Sequence, residues 1–298
     1  MTDLEKSRQL LRHLYRTRTN RARFRDRIPA SLKWGRYRKS VERDLLANWP
    51  GGYVLINERD YFYVPRGDDI MSSHYLIRPA EAETVVTNFC PPGGVAIDLG
   101  ANFGEWSLQM ARAVGRTGHV YAFEPSPNIA EALRKTLSIN GQTQTTVIEA
   151  AAGAHAGNAS FTVNADHSGK SGILTGANGS PSHDITVKMH SLDDFVRQHK
   201  LARLDFIKID VEGHETDVLE GAETVLETFT PAVVLEAGVD PDHDRGKIKD
   251  ILERHKYTMA GAILPHGIIE TTWDDYLHTS GLFASGFVNI LLISTRDD

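Results

Sequence analysis

From Gly94 onward, short apolar runs and longer amphipathic runs take turns, and few folds accept that alternation. GVAIDLG (94–100) and HVYAFEP (119–125) read as buried strands, while EWSLQMARAVG (105–115) and NIAEALRKTLSIN (128–140) read as helices. TTVIEAA (145–151), LDFIKID (204–210) and PAVVLEAG (231–238) supply three more strands. Helices are expected at SLDDFVRQH (191–199), where Ser191 is the N-cap, across EGAETVLETF (220–229) and near 244–255. ASFTVNA (159–165) and DITVKMH (184–190) read as a β-hairpin around a Gly/Ser-rich loop. YTMAGAIL (257–264) and FVNILLIS (287–294) close the chain as strands. The pattern predicts an α/β protein with a mostly parallel, doubly wound, Rossmann-like sheet and helices on both faces.

Pro91-Pro92-Gly93-Gly94 marks where this core begins, so a domain over 93–298 is expected. Before it, residues 46–92 form a lead-in: GYVLINERDYFYVP (52–65) reads as a hairpin and 68–89 as a helix. Residues 1–45 read as a basic helical arm, with an amphipathic stripe over 3–25. Residues 1–43 hold 14 of the 33 Lys/Arg and four of the 39 Asp/Glu, so the arm carries +10 and the remainder −16. Such an arm suits an anionic partner such as phosphorylated lipid, nucleic acid or acidic glycan. It equally suits the acidic body of its own chain, or of a second copy in a homo-oligomer.

Cys90 is the only cysteine, so no intrachain disulfide forms, and a cytoplasmic location is the simplest expectation. MTDLEKSRQLLRHLYRTRTN lacks the apolar stretch of a secretory signal. No apolar run approaches the roughly 20 residues that span a bilayer, so no transmembrane segment is expected.

The first strand runs into the turn DLGANFGEW (98–106), where glycines let backbone approach a ligand. The second strand ends at Glu124, placed to accept hydrogen bonds from ribose hydroxyls. Together these indicate an adenosine cofactor. A dinucleotide fingerprint would put glycines where Asn102 and Glu105 stand, and Asp98 adds another carboxylate. Carboxylates repel a diphosphate but welcome an ammonium and a sulfonium, so S-adenosyl-L-methionine (SAM) fits better. Gly100, Asn102 and Gly104 then form its turn, with Glu149, ending the third strand, as a further candidate near the adenine.

LDFIKIDVEGHE (204–215) is an apolar strand that ends in charge. In an open parallel sheet, ligands sit beyond the C-terminal strand ends. Asp210, Glu212 and His214 should therefore converge beside the cofactor with Glu236, which lies near the end of the next strand. Methyl transfer to an alcohol needs a general base or a divalent metal to acidify the hydroxyl. Asp210, Glu212 and His214 are the candidate catalytic groups, and Asp210 with Glu236 the candidate Mg²⁺ ligands. The bland alternatives are an Asp210–Lys208 ion pair or an Asp210 cap on the following helix, a capping role for Glu212, a solvent-facing His214 and a structural role for Glu236. DPDHD (240–244) is expected to cap a helix, and 165–184 is either a substrate lid or a surface excursion.

VAIDLGANFGEWS (95–107), AFEPSP (122–127) and IKIDVEGHETDVLEGA (207–222) resemble the FkbM family of SAM-dependent methyltransferases. The resemblance spans roughly residues 93–238 and implies a class I methyltransferase fold. It also implies O-methylation, commonly of sugar hydroxyls in glycans or glycolipids, or of polyketide-type products. Carried over residue by residue, it assigns Asp98, Gly100, Asn102, Gly104 and Glu124 to SAM, and sets Asp210, Glu212 and Glu215 at the active-site edge. The expectation is thus a SAM-dependent O-methyltransferase acting on a small-molecule or glycan acceptor. Its rivals are a nicotinamide-dependent oxidoreductase and a non-catalytic binding module that works through the basic arm.

Overall fold

Five of the apolar runs need two buried faces, and a parallel sheet covered by helices on both sides provides them. The computed structural model describes residues 51–56, 59–66, 82–164, 171–173, 182–238, 244–264, 267–278 and 287–296. The basic arm, most of the helix expected over 68–89 and most of the 165–184 loop lie outside these residues.

The strands are β1 (Gly52–Ile56), β2 (Asp60–Val64), β3 (Val95–Leu99), β4 (His119–Phe123), β5 (Thr145–Ile148), β6 (Ala151–Ala152) and β7 (Gly157–Asn164), then β8 (Gly172–Ile173), β9 (Ser182–His190), β10 (Phe206–Ile209), β11 (Ala232–Gly238), β12 (Tyr257–Leu264), β13 (Gly267–Ile269) and β14 (Phe287–Ser294). The helices are α1 (Ala82–Phe89), α2 (Glu105–Val114), α3 (Pro127–Ile139), α4 (Leu192–His199), α5 (Glu215–Glu220), α6 (Glu223–Phe229), α7 (Arg245–Arg254) and α8 (Trp273–His278). The main sheet has eight strands in the order β13-β12-β14-β11-β10-β3-β4-β5. Strands β5, β4, β3, β10 and β11 run parallel, and β14 inserts antiparallel between β11 and β12.

Alternation along each strand divides the core in two. Ile97, Leu99, Ile207, Ile209, Val233 and Leu235 meet α4, α5, α6 and α7. Ala96, Val120, Phe206 and Val234 meet Val85 and Val86 of α1 and Trp106, Met110 and Ala111 of α2. This is the class I methyltransferase architecture.

Several local expectations change. The run at 145–151 is one strand in sequence but two in space: β5 ends at Ile148, and β6 joins β9 in a separate sheet of order β6-β9-β7-β8. The expected hairpin is present as β7 and β9, with β8 added along β7. The helix expected across 220–229 is interrupted at Gly221, where a Cβ would collide with the Gly153 carbonyl oxygen. Ser191 caps α4 by accepting from the Asp194 amide at 3.2 Å, and Asp244 caps α7 by accepting from Lys247 N at 3.0 Å.

The β1–β2 hairpin packs Phe62 against Phe103, Leu108, Ile129 and Ala132. Its buried Asp60 pairs with Arg112 at 2.5 Å and accepts from Gln109 Nε2 at 3.1 Å, which ties the hairpin to α2. Among the described residues, no helix is long and apolar enough to cross a membrane.

Candidate active site

The turn after β3 exists because three backbones crowd one point. Gly100 takes φ +79°, and a Cβ there would collide with the Asp210 carbonyl oxygen. Gly100 N and Ala101 N both donate to Phe123 O, at 3.1 and 2.9 Å, and Asp210 N donates to Leu99 O at 3.0 Å. The ends of β3, β4 and β10 are thereby fixed together. Asn102 is left-handed (φ 47°), a region that asparagine tolerates better than most residues. Gly104 has φ 96°, and a Cβ there would lie 2.6 Å from Leu133 Cδ1.

Two acids back this turn. Glu124 is buried; its Oε2 accepts from Asn102 N at 3.0 Å and its Oε1 from Ser126 N at 2.9 Å. Burial pushes its carboxyl up to about 7, against the pull of those two amides. Asp98 is buried beneath α2, where its Oδ2 accepts from Ser107 Oγ at 2.5 Å. Burial raises it to about 6, opposed by Ser107 and by the charge of Lys208, its register partner on β10. Glu149, by contrast, is exposed and pairs with Arg134 at 3.0 Å.

One strand over, acids from two segments meet. Carboxylate oxygens of Asp210, Glu212 and Glu236 all lie within 4.8 Å of one another. Asp210 follows β10 directly, and Glu236 occupies the inner face near the end of β11. Glu212 reaches the group from a left-handed turn (φ 51°), a backbone state costing about 1–3 kcal/mol for a non-glycine residue. Buried Glu215 holds that turn from behind, its Oε1 accepting from Val211 N and Gly213 N at 3.3 Å each. Burial, and next the Asp210 charge, raise the Glu236 carboxyl well above the ordinary range.

Lys208 answers this negative charge. It is 1% exposed, its Nζ lies 3.3 Å from Asp210 Oδ2 and donates to Ile209 O at 3.2 Å, and the Trp106 ring centroid is 5.5 Å away. The Asp210–Lys208 ion pair and the membership of Asp210 in the acid cluster thus coexist. His214 does not join the cluster. Its Nε2 sits 2.7 Å from Ile173 O on β8 and its Nδ1 2.9 Å from Asp217 Oδ2. Both ring nitrogens lie against oxygen atoms, so the imidazole links the small sheet to α5 instead of turning toward the acid cluster.

Sequence reasoning misses Ser107 and Asn289, and treats Lys208 only as an ion-pair alternative. Two of the three carry a signal. A lysine inside FIKI and an asparagine inside FVNILL interrupt strands otherwise fit for full burial.

The family model for the "Methyltransferase FkbM domain" matches residues 98–259, more than half of the chain and inclusive of both acid groups. The chain belongs to the FkbM family of SAM-dependent methyltransferases. FkbM membership removes the nicotinamide-dependent alternative. Among relatives, Methyltransferase sdnD of Sordaria araneosa is 26% identical over 219 residues, covering 61% of this chain and 84% of that protein. Hexuronic acid methyltransferase AglP of Haloferax volcanii is 30% identical over 151 residues, 48% of this chain and 56% of that one. The crystal structure of an FkbM methyltransferase from Methylobacillus flagellatus aligns with TM-score 0.47 and 18% identity, over 72% of this chain and 48% of that chain. Against these last two proteins, the match spans about half of the other protein's length.

Proposed function

We propose that this FkbM methyltransferase transfers the methyl group of SAM to a hydroxyl of a saccharide or glycosylated metabolite. The observation that carries this reading is the Asp210–Glu212–Glu236 cluster, seated against the glycine turn through the Gly100–Asp210 contact. Glu124 has lone pairs left to accept from ribose hydroxyls, and Asp98 gives the turn the negative potential that a sulfonium and an ammonium favour.

On the acceptor side, carboxylates are acceptor-only groups when ionised, and a polyol offers the matching donors. The acceptor oxygen attacks the methyl carbon in line. A C–O bond forms as the C–S bond breaks, and the sulfonium becomes a neutral thioether. The hydroxyl proton leaves toward the acid cluster. Collapse of the sulfonium charge supplies the driving force, so the protein's task is orientation and acidification of the hydroxyl. A relative named as a hexuronic acid methyltransferase supports a sugar acceptor.

The test is incubation of the purified chain with methyl-labelled SAM and a panel of uronic acids, neutral saccharides, glycosylated small molecules, amines and phenols, read by mass spectrometry with fragmentation. Label on a sugar hydroxyl oxygen is expected. Label on nitrogen or carbon instead, with every saccharide untouched, would overturn the reading.

A further inference from the structure

The acid cluster contains more oxygen than its carboxylates alone. Asn289 on β14 stands directly opposite Glu236 on β11. Opposed residues of an antiparallel pair project from the same face with Cβ atoms about 5 Å apart, so the Asn289 amide flanks the Glu236 carboxylate. Asn289 is only 7% exposed, and among the described residues its Oδ1 has no hydrogen-bond partner. A buried amide oxygen without a partner is destabilising, and a bound ligand would relieve that.

We propose that Asp210, Glu212, Glu236 and the Asn289 amide oxygen together form a binding site for one divalent hard cation. The inference deepens the hydroxyl-methylation reading by assigning the acidification of the acceptor to a metal ion, and to that extent it rests on that reading. Two arguments carry it. Hard cations take oxygen ligands at about 2.1–2.5 Å, so ligand atoms around one ion lie at most about 4–5 Å apart. The 4.8 Å limit on the carboxylate oxygens meets that condition. The unpartnered Asn289 oxygen supplies a fourth, uncharged donor of the type that Mg²⁺, Mn²⁺ and Ca²⁺ accept.

The site also suits the chemistry. An ion there would sit past the end of β10 and beside the last residues of β11, next to the turn expected to hold the methyl donor. A hydroxyl bound to it loses its proton more readily, and the acceptor oxygen is fixed for in-line attack.

The experiment is titration of the full chain with Mn²⁺ alone, free of SAM and acceptor, followed by electron paramagnetic resonance and calorimetry, on wild type and on Glu236→Gln, Asn289→Leu and Asn289→Asp. Circular dichroism melting reports folding of each variant. One Mn²⁺ per chain is expected, with affinity reduced about tenfold or more in Glu236→Gln and Asn289→Leu. Asn289→Asp should tighten it, because a fourth carboxylate adds charge at the ion, and a merely structural asparagine would give no such gain. Absence of stoichiometric Mn²⁺ binding to wild type, or binding indifferent to all three substitutions, would overturn the proposal. Because these readouts involve no methyl transfer, they stand or fall separately from the acceptor assignment. Full sugar methylation in EDTA together with no Mn²⁺ binding would remove the metal and leave the proposed function intact.

Discussion

The proposed donor and acceptor ends of this site both rest on carboxylates, yet they are built in opposite ways. At the proposed donor end, Asp98 and Glu124 are buried and already engaged, one by Ser107 and the other by two backbone amides. At the proposed acceptor end, Asp210, Glu212 and Glu236 are half-buried and gathered together, with the buried Lys208 paired to Asp210. Ionised carboxylates at such spacing repel one another, and the Asp210 charge is one reason the Glu236 carboxyl is raised. The proposed donor end is therefore engaged before a ligand arrives, whereas the proposed acceptor end gathers carboxylates that a cation or a proton-bearing group can satisfy.

The largest test of this contrast strikes where the two ends touch. Gly100→Ala should abolish methyl transfer and weaken SAM binding together, because its Cβ would displace the Asp210 carbonyl while φ +79° strains the new side chain. Activity assays and SAM calorimetry on a folded variant check this; a wild-type profile would mean that the ends are not joined there.

Asp210→Asn should then separate them. Turnover at saturating SAM is expected to fall about 10²–10³-fold with SAM affinity changed by less than about threefold. An equal loss in both would show that the acceptor cluster also serves the donor.

Glu124→Gln should act in reverse, weakening SAM about 10- to 100-fold while sparing acceptor KM. Its pH behaviour sharpens the point. The raised carboxyl is protonated below about 7 and loses acceptor capacity there, so wild-type SAM affinity should climb as pH rises through 7 and level off above it. The Gln variant should lack that component of the climb, as calorimetry from pH 6 to 8.5 can check.

The smallest effect belongs to Glu149→Ala. Its partner Arg134 is as exposed as it is, so SAM affinity should move by less than about twofold. A tenfold loss in the same titration would instead place Glu149 among the cofactor contacts.

What is legible in the sequence follows from what is local. Each parallel strand announces itself by its own apolar run, and the turn acids lie within those runs or directly after them, so residue order alone places Asp98, Glu124 and Asp210 at strand ends. Pairings across the chain leave no such trace. The insertion of β14 between β11 and β12 depends on contacts that no window of sequence contains, and it is this insertion that sets Asn289 beside Glu236. The break at Gly221 is dictated by a carbonyl from residue 153, and the imidazole of His214 is claimed by Ile173, 41 positions away. Strands as short as β8 and β13, of two and three residues, are too brief for any period to register.

The contact between Gly100 and the Asp210 carbonyl also bears on how relatives with different acceptors can arise. It leaves no room for a side chain between the glycine turn and Asp210, so the spacing of the proposed donor and acceptor ends at this contact is set by main chain. Diversification must then come from parts that can be lengthened or exchanged without disturbing that spacing, such as the sheet formed by β6 to β9 or the segments flanking the β1–β2 hairpin. Grafting those parts between family members, with the strand ends left untouched, is the economical route to a new acceptor.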